Sequence, residues 1–151
     1  MDNQQGKVSE VDIAWLAGFI DGEGCIDFQK SYAHRLTNNR IRPRLRISNT
    51  HIDTLNTLTR IMDSMRAGQN VGWRTPQNAK WRKSWDVDIS GFKRMHRFLI
   101  QITPYLHTKK VQAEAMLDFI NSRMERSQKE LYSENEITLI NKVKMRKTPL
   151  L

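Results

Sequence analysis

Near the N-terminus the apolar residues Ile13, Leu16, Phe19 and Ile20 recur at helical spacing, behind a Ser9–Asp12 capping signal. A first helix is predicted over Ile13 to Gly22. The pattern then switches to period two: Cys25-Ile26-Asp27-Phe28-Gln29 alternates, and Arg40 to Ile47 alternates more strictly, so two strands are expected as a hairpin. Thr50 and Asp53 repeat the cap signal before Leu55, Leu58, Ile61, Met62 and Met65, a helix ending near Gly68. Val71 and Trp73 alternate with polar neighbours, Pro76-Gln77-Asn78 marks a turn, and Trp85, Val87 and Ile89 alternate again, which predicts a second hairpin. Phe92, Met95, Phe98, Leu99 and Ile102 share one helical face, stopped by Pro104. A Thr108-capped helix with Val111, Ala115, Leu117 and Ile120 follows, and Ser133 to Glu136 opens a last one carrying Ile137, Ile140 and Val143. The order is αββαββα with additional C-terminal helices, an α+β arrangement. There is no repeat, low-complexity stretch or flexible linker, so a single domain over residues 1–151 is expected.

Charge changes this picture from a fold to a partner. The chain carries 25 Lys plus Arg against 16 Asp plus Glu, a net charge of +9, which points to a polyanion. No apolar run approaches the roughly 18 residues that span a bilayer, and Met1 to Glu10 is polar, so neither membrane insertion nor secretion is expected. A single cysteine, Cys25, rules out an internal disulfide and a multi-cysteine zinc site, and fits an intracellular protein.

The positive charge is concentrated on the hairpins. No acid lies between Asp27 and Asp53, while Arg40, Arg42, Arg44 and Arg46 fall at period two and share one sheet face, with Ile41, Leu45 and Ile47 turned to the core. Like charges stacked on a face repel, so this stripe is better explained by an anionic partner than by folding. A two-stranded ribbon fits the DNA major groove, where Arg reads guanine and Gln or Asn reads adenine. Phe28, Trp73 and Trp85 are expected on the core side, which removes the exposed aromatics of single-strand binders and favours duplex DNA over RNA. The expected contacts on the first hairpin are Asp27, Gln29, Ser31, Arg35, Asn38, Arg40, Arg42, Arg44 and Arg46. On the second they are Asn70, Arg74, Lys80, Arg82, Asp86 and Asp88.

Ala14, Gly18 and Gly22 recur every fourth residue along the first helix. Two interior glycines cost about 1 kcal/mol each relative to alanine, so their presence asks for a closely packed backbone. A second copy of the same helix is the simplest candidate. It would bring Asp21 and Glu23 of both copies near a twofold axis, the outline of a metal site in a basic protein.

At these residues a resemblance enters: Leu16-Ala17-Gly18-Phe19-Ile20-Asp21-Gly22-Glu23-Gly24 resembles the LAGLIDADG motif of homing endonucleases, identical at six of nine positions. The element order, the two basic hairpins and the segment Pro104 to Lys110 are similar to the single-motif members. The resemblance implies a saddle-shaped antiparallel sheet on duplex DNA, a homodimer with Ala14, Gly18, Asp21 and Gly22 at its interface, and no small-molecule substrate. It implies sequence-specific hydrolysis of both strands of a long pseudo-palindromic target, leaving 3′ overhangs and using Mg²⁺, with Mn²⁺ able to substitute. The motif's eighth position, Glu23, would bind the cation together with the Gly22 carbonyl, and Asp21 would brace the helix end and interface. Lys109, with Lys110 as rival, matches the family's basic residue that stabilises the transition state. Asn49, with Ser48 as rival, matches a polar position that organises water. The resemblance also implies an intron-encoded protein working in an organelle (chloroplast or mitochondrion) or in bacterial or phage cytoplasm. The rivals are an intron splicing cofactor (maturase) or DNA-binding regulator on the same fold, and a basic protein that coats nucleic acid without sequence preference.

Overall fold

The structure, a computed structural model, describes residues 8–30, 41–74, 78, 80–127 and 130–144. Helix α1 (Glu10–Glu23) leads into strands β1 (Gly24–Lys30) and β2 (Ile41–Asn49), followed by α2 (Ile52–Ser64), β3 (Asn70–Arg74), β4 (Ser84–Ser90), α3 (Phe92–Ile102), α4 (Lys110–Met124) and α5 (Glu134–Lys144). The four strands form one antiparallel sheet in the order β1-β2-β4-β3. The expected αββαββα order with added helices is observed.

Period two decides which side of the sheet is covered. Ile26, Pro43, Leu45, Ile47, Val87 and Ile89 are buried beneath the helices, where they meet Leu16 and Ile20 of α1, Leu58 and Met62 of α2, and Met95, Phe98 and Leu99 of α3. The alternating residues in between form the other, open face. No helix among the described residues is long and apolar enough to cross a membrane.

Several expectations change in detail. Ser9 stands at the start of α1, but its side chain makes no capping bond. Helix α2 is capped by neither Thr50 nor Asp53: His51 Nδ1 accepts from the Thr54 N–H at 3.2 Å. Thr108 does not cap α4, which begins after Lys109 without a side-chain bond. Val111 is 56% exposed in the first turn of that helix, while Gln112, Ala113, Met116 and Phe119 are buried, because α4 packs between α3 and α5 and buries more than a single stripe. Trp73 lies opposite Trp85, on the helix-bearing side as expected, yet it is 58% exposed. It sits on the edge strand β3, beyond the reach of the helices. Lys83 covers its ring instead, with Nζ 5.3 Å from the centroid.

The predicted cap of α5 is present in full. Ser133 Oγ accepts from the Glu136 N–H at 3.1 Å, and Glu136 Oε1 accepts from the Ser133 N–H at 2.9 Å.

Candidate functional site

Cross-strand pairs share a face, so the register lays out the open surface residue by residue. Asp27 pairs with Arg44, Gln29 with Arg42 and Cys25 with Arg46. On the other side of β2, Arg46 pairs with Asp88 and Ser48 with Asp86, while Asn70 of β3 lies opposite Asp88 and Arg74 opposite Ser84. Arg42, Arg44 and Arg46 therefore stand in a row down the centre of the open face. Ser31, Arg35, Asn38, Asn39, Arg40, Pro76 and Gln77 lie outside the described residues.

The row is not the uninterrupted stripe expected from the sequence. Its acids come from neighbouring strands. Asp27 grips Arg44 with two bonds, Nε to Oδ1 at 2.9 Å and Nη2 to Oδ2 at 3.0 Å. These bonds to Asp27 hold the Arg44 guanidinium above its ordinary pKa, against the opposing effect of burial. Asp86 Oδ1 accepts from the Ser48 hydroxyl. The face thus interleaves donors (Arg42, Arg46, Asn70) with acceptors (Asp27, Asp86, Asp88), a pattern suited to distinguishing base edges rather than to uniform charge attraction. Lys80, Arg82 and Lys83 are exposed between β3 and β4.

A second cluster forms where α1 ends. The Asp21 carboxylate accepts from the backbone N–H of His107 at 2.8 Å and of Lys109 at 2.9 Å, and Lys109 Nζ donates to the Asp21 main-chain carbonyl at 2.6 Å. A cation at the carboxyl end of a helix is favoured by the helix dipole. Gly22 and Glu23, the next two residues, are exposed. Gly24 makes the sharp step from helix to strand: a Cβ there would meet Ile20 Cγ2 and the Ile20 carbonyl oxygen, each at 2.9 Å. Glu23 is thereby held at a fixed corner. Lys110 makes none of these bonds, and its side chain is exposed on the first turn of α4.

Asn49 and Ser48 end β2 near the same corner, since Ile47 pairs with Gly24. Ser48 is on the Arg-bearing face. Asn49 pairs with Trp85 on the opposite face, and its Oδ1 accepts from the His51 N–H at 2.7 Å, turning the chain into α2. The structure therefore brings Ser48, not Asn49, onto the surface that carries the arginines.

Ala14, Gly18 and Gly22 line an exposed edge of α1. A Cβ at Gly18 or Gly22 would meet nothing within 4 Å, so this chain's own packing does not require either glycine. Val11 and Trp15, which the sequence reading passed over, flank the edge at 78% and 40% exposure. Their signal was available: both fall outside the apolar stripe of a helix that otherwise buries its large residues.

Residues 8–92 match the family model described as the PI-PfuI endonuclease subdomain. No curated protein matches the sequence significantly. Among solved structures, the chain is similar to homing endonuclease I-CvuI, in complex with I-CreI target DNA in the presence of Mg, at 20% identity and a TM-score of 0.67, covering 93% of this chain and 85% of that one. The archaeal intron-encoded homing endonuclease I-Vdi141I, complexed with DNA, matches at 13% identity and a TM-score of 0.68 over 91% of this chain and 84% of the other. LAGLIDADG homing endonuclease I-GzeII, in complex with its DNA target, matches at 20% identity and a TM-score of 0.58, with 90% of this chain covering 44% of that one.

Proposed function

Given that the chain belongs to the LAGLIDADG homing endonuclease family, we propose that it is a single-motif, homodimeric endonuclease that recognises a long pseudo-palindromic DNA site and hydrolyses both strands with a divalent cation. The observation that carries this reading is the corner at the end of α1. An exposed carboxylate, Glu23, stands two residues beyond the carbonyl that holds the Lys109 ammonium, next to a glycine edge that the chain itself leaves unfilled.

The donor chemistry suits Mg²⁺, with Mn²⁺ as a substitute: Glu23 and the Gly22 carbonyl are hard oxygen donors. Among the described residues no group of three His, Cys, Asp or Glu could hold a metal ion. The remaining ligands would come from phosphate, water and the second copy. When bound, the cation would activate water and stabilise charge on the scissile phosphate. The chain's own contribution is positional. Asp21 fastens Lys109 at the end of α1, two residues before Glu23, where its ammonium would offset the negative charge that grows on the phosphate in the transition state. Arg42, Arg46, Gln29 and Asp88 offer donors and acceptors to base edges, and Arg44 does so from the grip of Asp27. Such a protein would be intron-encoded and would work in the compartment that holds its target.

Selection from a random duplex pool, followed by cleavage of the selected target with Mg²⁺, tests the proposal. The native protein is expected to cut both strands, and Glu23→Gln to bind the same target without cutting. Equal cutting by both would refute chemistry at Glu23. A selected target that the native dimer binds and never cuts would favour a splicing cofactor or regulator.

A further inference from the structure

Strand β2 is longer than its neighbour β4. The ladder between them ends at the pair Arg44 and Ser90, whereas β2 begins at Ile41. Residues two apart on a strand direct their backbone groups to the same side, so Pro43 and Ile41 present groups to a neighbour that has already ended. Buried backbone groups need partners. Pro43 has no N–H, and its carbonyl accepts from the Gly91 N–H at 3.0 Å. Gly91 makes this turn at φ +102°, with Arg42 Nη2 only 3.0 Å from where a Cβ would be. The Ile41 N–H donates to the phenol oxygen of Tyr132, 91 residues further along, at 3.1 Å.

Tyr132 is itself firmly held. Its ring lies 6.0 Å from that of Phe119, which meets Phe28 of β1 edge-on at 5.1 Å. The Arg123 guanidinium stacks over the Tyr132 ring at 4.9 Å while donating to the Glu130 carbonyl at 3.1 Å and to Glu136 Oε1 at 3.5 Å. A continuous set of contacts thus runs from the start of α5 to the outer end of the β1–β2 ribbon. There Lys30 pairs with Ile41 and Gln29 with Arg42.

We propose that Tyr132 is a positioning residue for base recognition: it fixes the β1–β2 ribbon at Ile41 so that Gln29 and Arg42 meet their base pairs in the outer part of each half-site. This rests on the endonuclease reading above. Specific base contacts need hydrogen-bond distances of about 2.7 to 3.2 Å, so a ribbon end free to swing reads bases poorly even with every contacting side chain present. The C-terminal helix pair would then set DNA specificity without lying in the groove.

Tyr132→Phe keeps the ring and removes the hydroxyl that accepts from the Ile41 N–H. In the DNA-free protein the Ile41 amide should exchange with solvent about tenfold faster than in the native form. In selections from a random duplex pool, base preference should be lost at the outer target positions and kept at the centre. The single-turnover cleavage rate of the native target at saturating protein should be unchanged. A merely structural role would lower the melting temperature and weaken binding equally at all positions; an unchanged relative profile would overturn the inference while leaving the endonuclease reading intact. If the native protein selects no sequence at all, both fail, and faster Ile41 exchange would then report a brace with no part in recognition.

Discussion

Lys109 and Asp21 are joined twice: the Lys109 N–H donates to the Asp21 carboxylate at 2.9 Å, and the Lys109 ammonium donates to the Asp21 main-chain carbonyl at 2.6 Å. The double link ties the turn before α4 to the end of α1. It separates Lys109 from Lys110, which composition and spacing leave equivalent.

An ammonium has three donors, so Lys109 can keep its bond to Asp21 and still address a phosphate. Lys109→Met is expected to slow single-turnover cleavage by about 100-fold, the scale of losing one preorganised donor to transition-state charge. Lys110→Met should change the rate by less than about threefold, as expected for a solvated surface charge. Rapid-quench measurements on the selected target separate the two. Equal losses would place the chemistry elsewhere.

The open space beside Gly18 makes opposite predictions for one copy and two. In an isolated chain Gly18→Ala should stabilise α1 by about 0.5 to 1 kcal/mol, since alanine is the better helix former and meets no atom within 4 Å. Gly18→Leu should keep the native circular dichroism of the single chain, lose the dimer in sedimentation velocity and lose cleavage with it. A Gly18→Leu protein that stays dimeric and cuts normally would put the interface on another surface.

Glu136 supplies a pH signature. Burial pushes its carboxyl up, but the Ser133 backbone N–H together with Arg123 and Arg126 outweighs burial and holds it below the ordinary carboxylate range. A folded-state value below the unfolded one of about 4.3 means that this stabilisation is complete above that pH and is lost as pH falls through the folded value. Glu136→Ala would take the carboxylate partner from the Arg123 guanidinium, which is 5% exposed, and should cost about 3 kcal/mol near neutrality. In urea melts the gap between variant and native should narrow below about pH 4. A gap independent of pH would mean that the carboxylate's charge contributes nothing.

What the sequence made legible was whatever follows from periodicity. Ile13, Leu16 and Ile20 fixed the buried side of α1, and the alternation from Arg42 to Ile47 fixed which face carries arginine. Partners set by strand register were less accessible. Asp27 was assigned to a DNA contact, and only its position opposite Arg44 shows that it also clamps that side chain. The cap at His51 escaped notice because imidazole is a rarer acceptor than the hydroxyl of Thr50 or the carboxylate of Asp53. Trp73 illustrates the limit of alternation, which assigns a side of the sheet but cannot tell whether a helix extends far enough to cover it. The bond from Ile41 to Tyr132 spans 91 residues and leaves no local trace in the sequence.

The clamp between Asp27 and Arg44 also constrains how this surface can change. Both side chains are about four-fifths sheltered, at 22% and 20% exposure, and each neutralises the other. Replacing one alone strands a charge on a crowded sheet, so effects at the two positions will not add. Retargeting the protein to a new sequence should therefore succeed here through paired substitutions that exchange the clamp as a unit, and single-site libraries at position 27 or 44 will mostly return the parental residues.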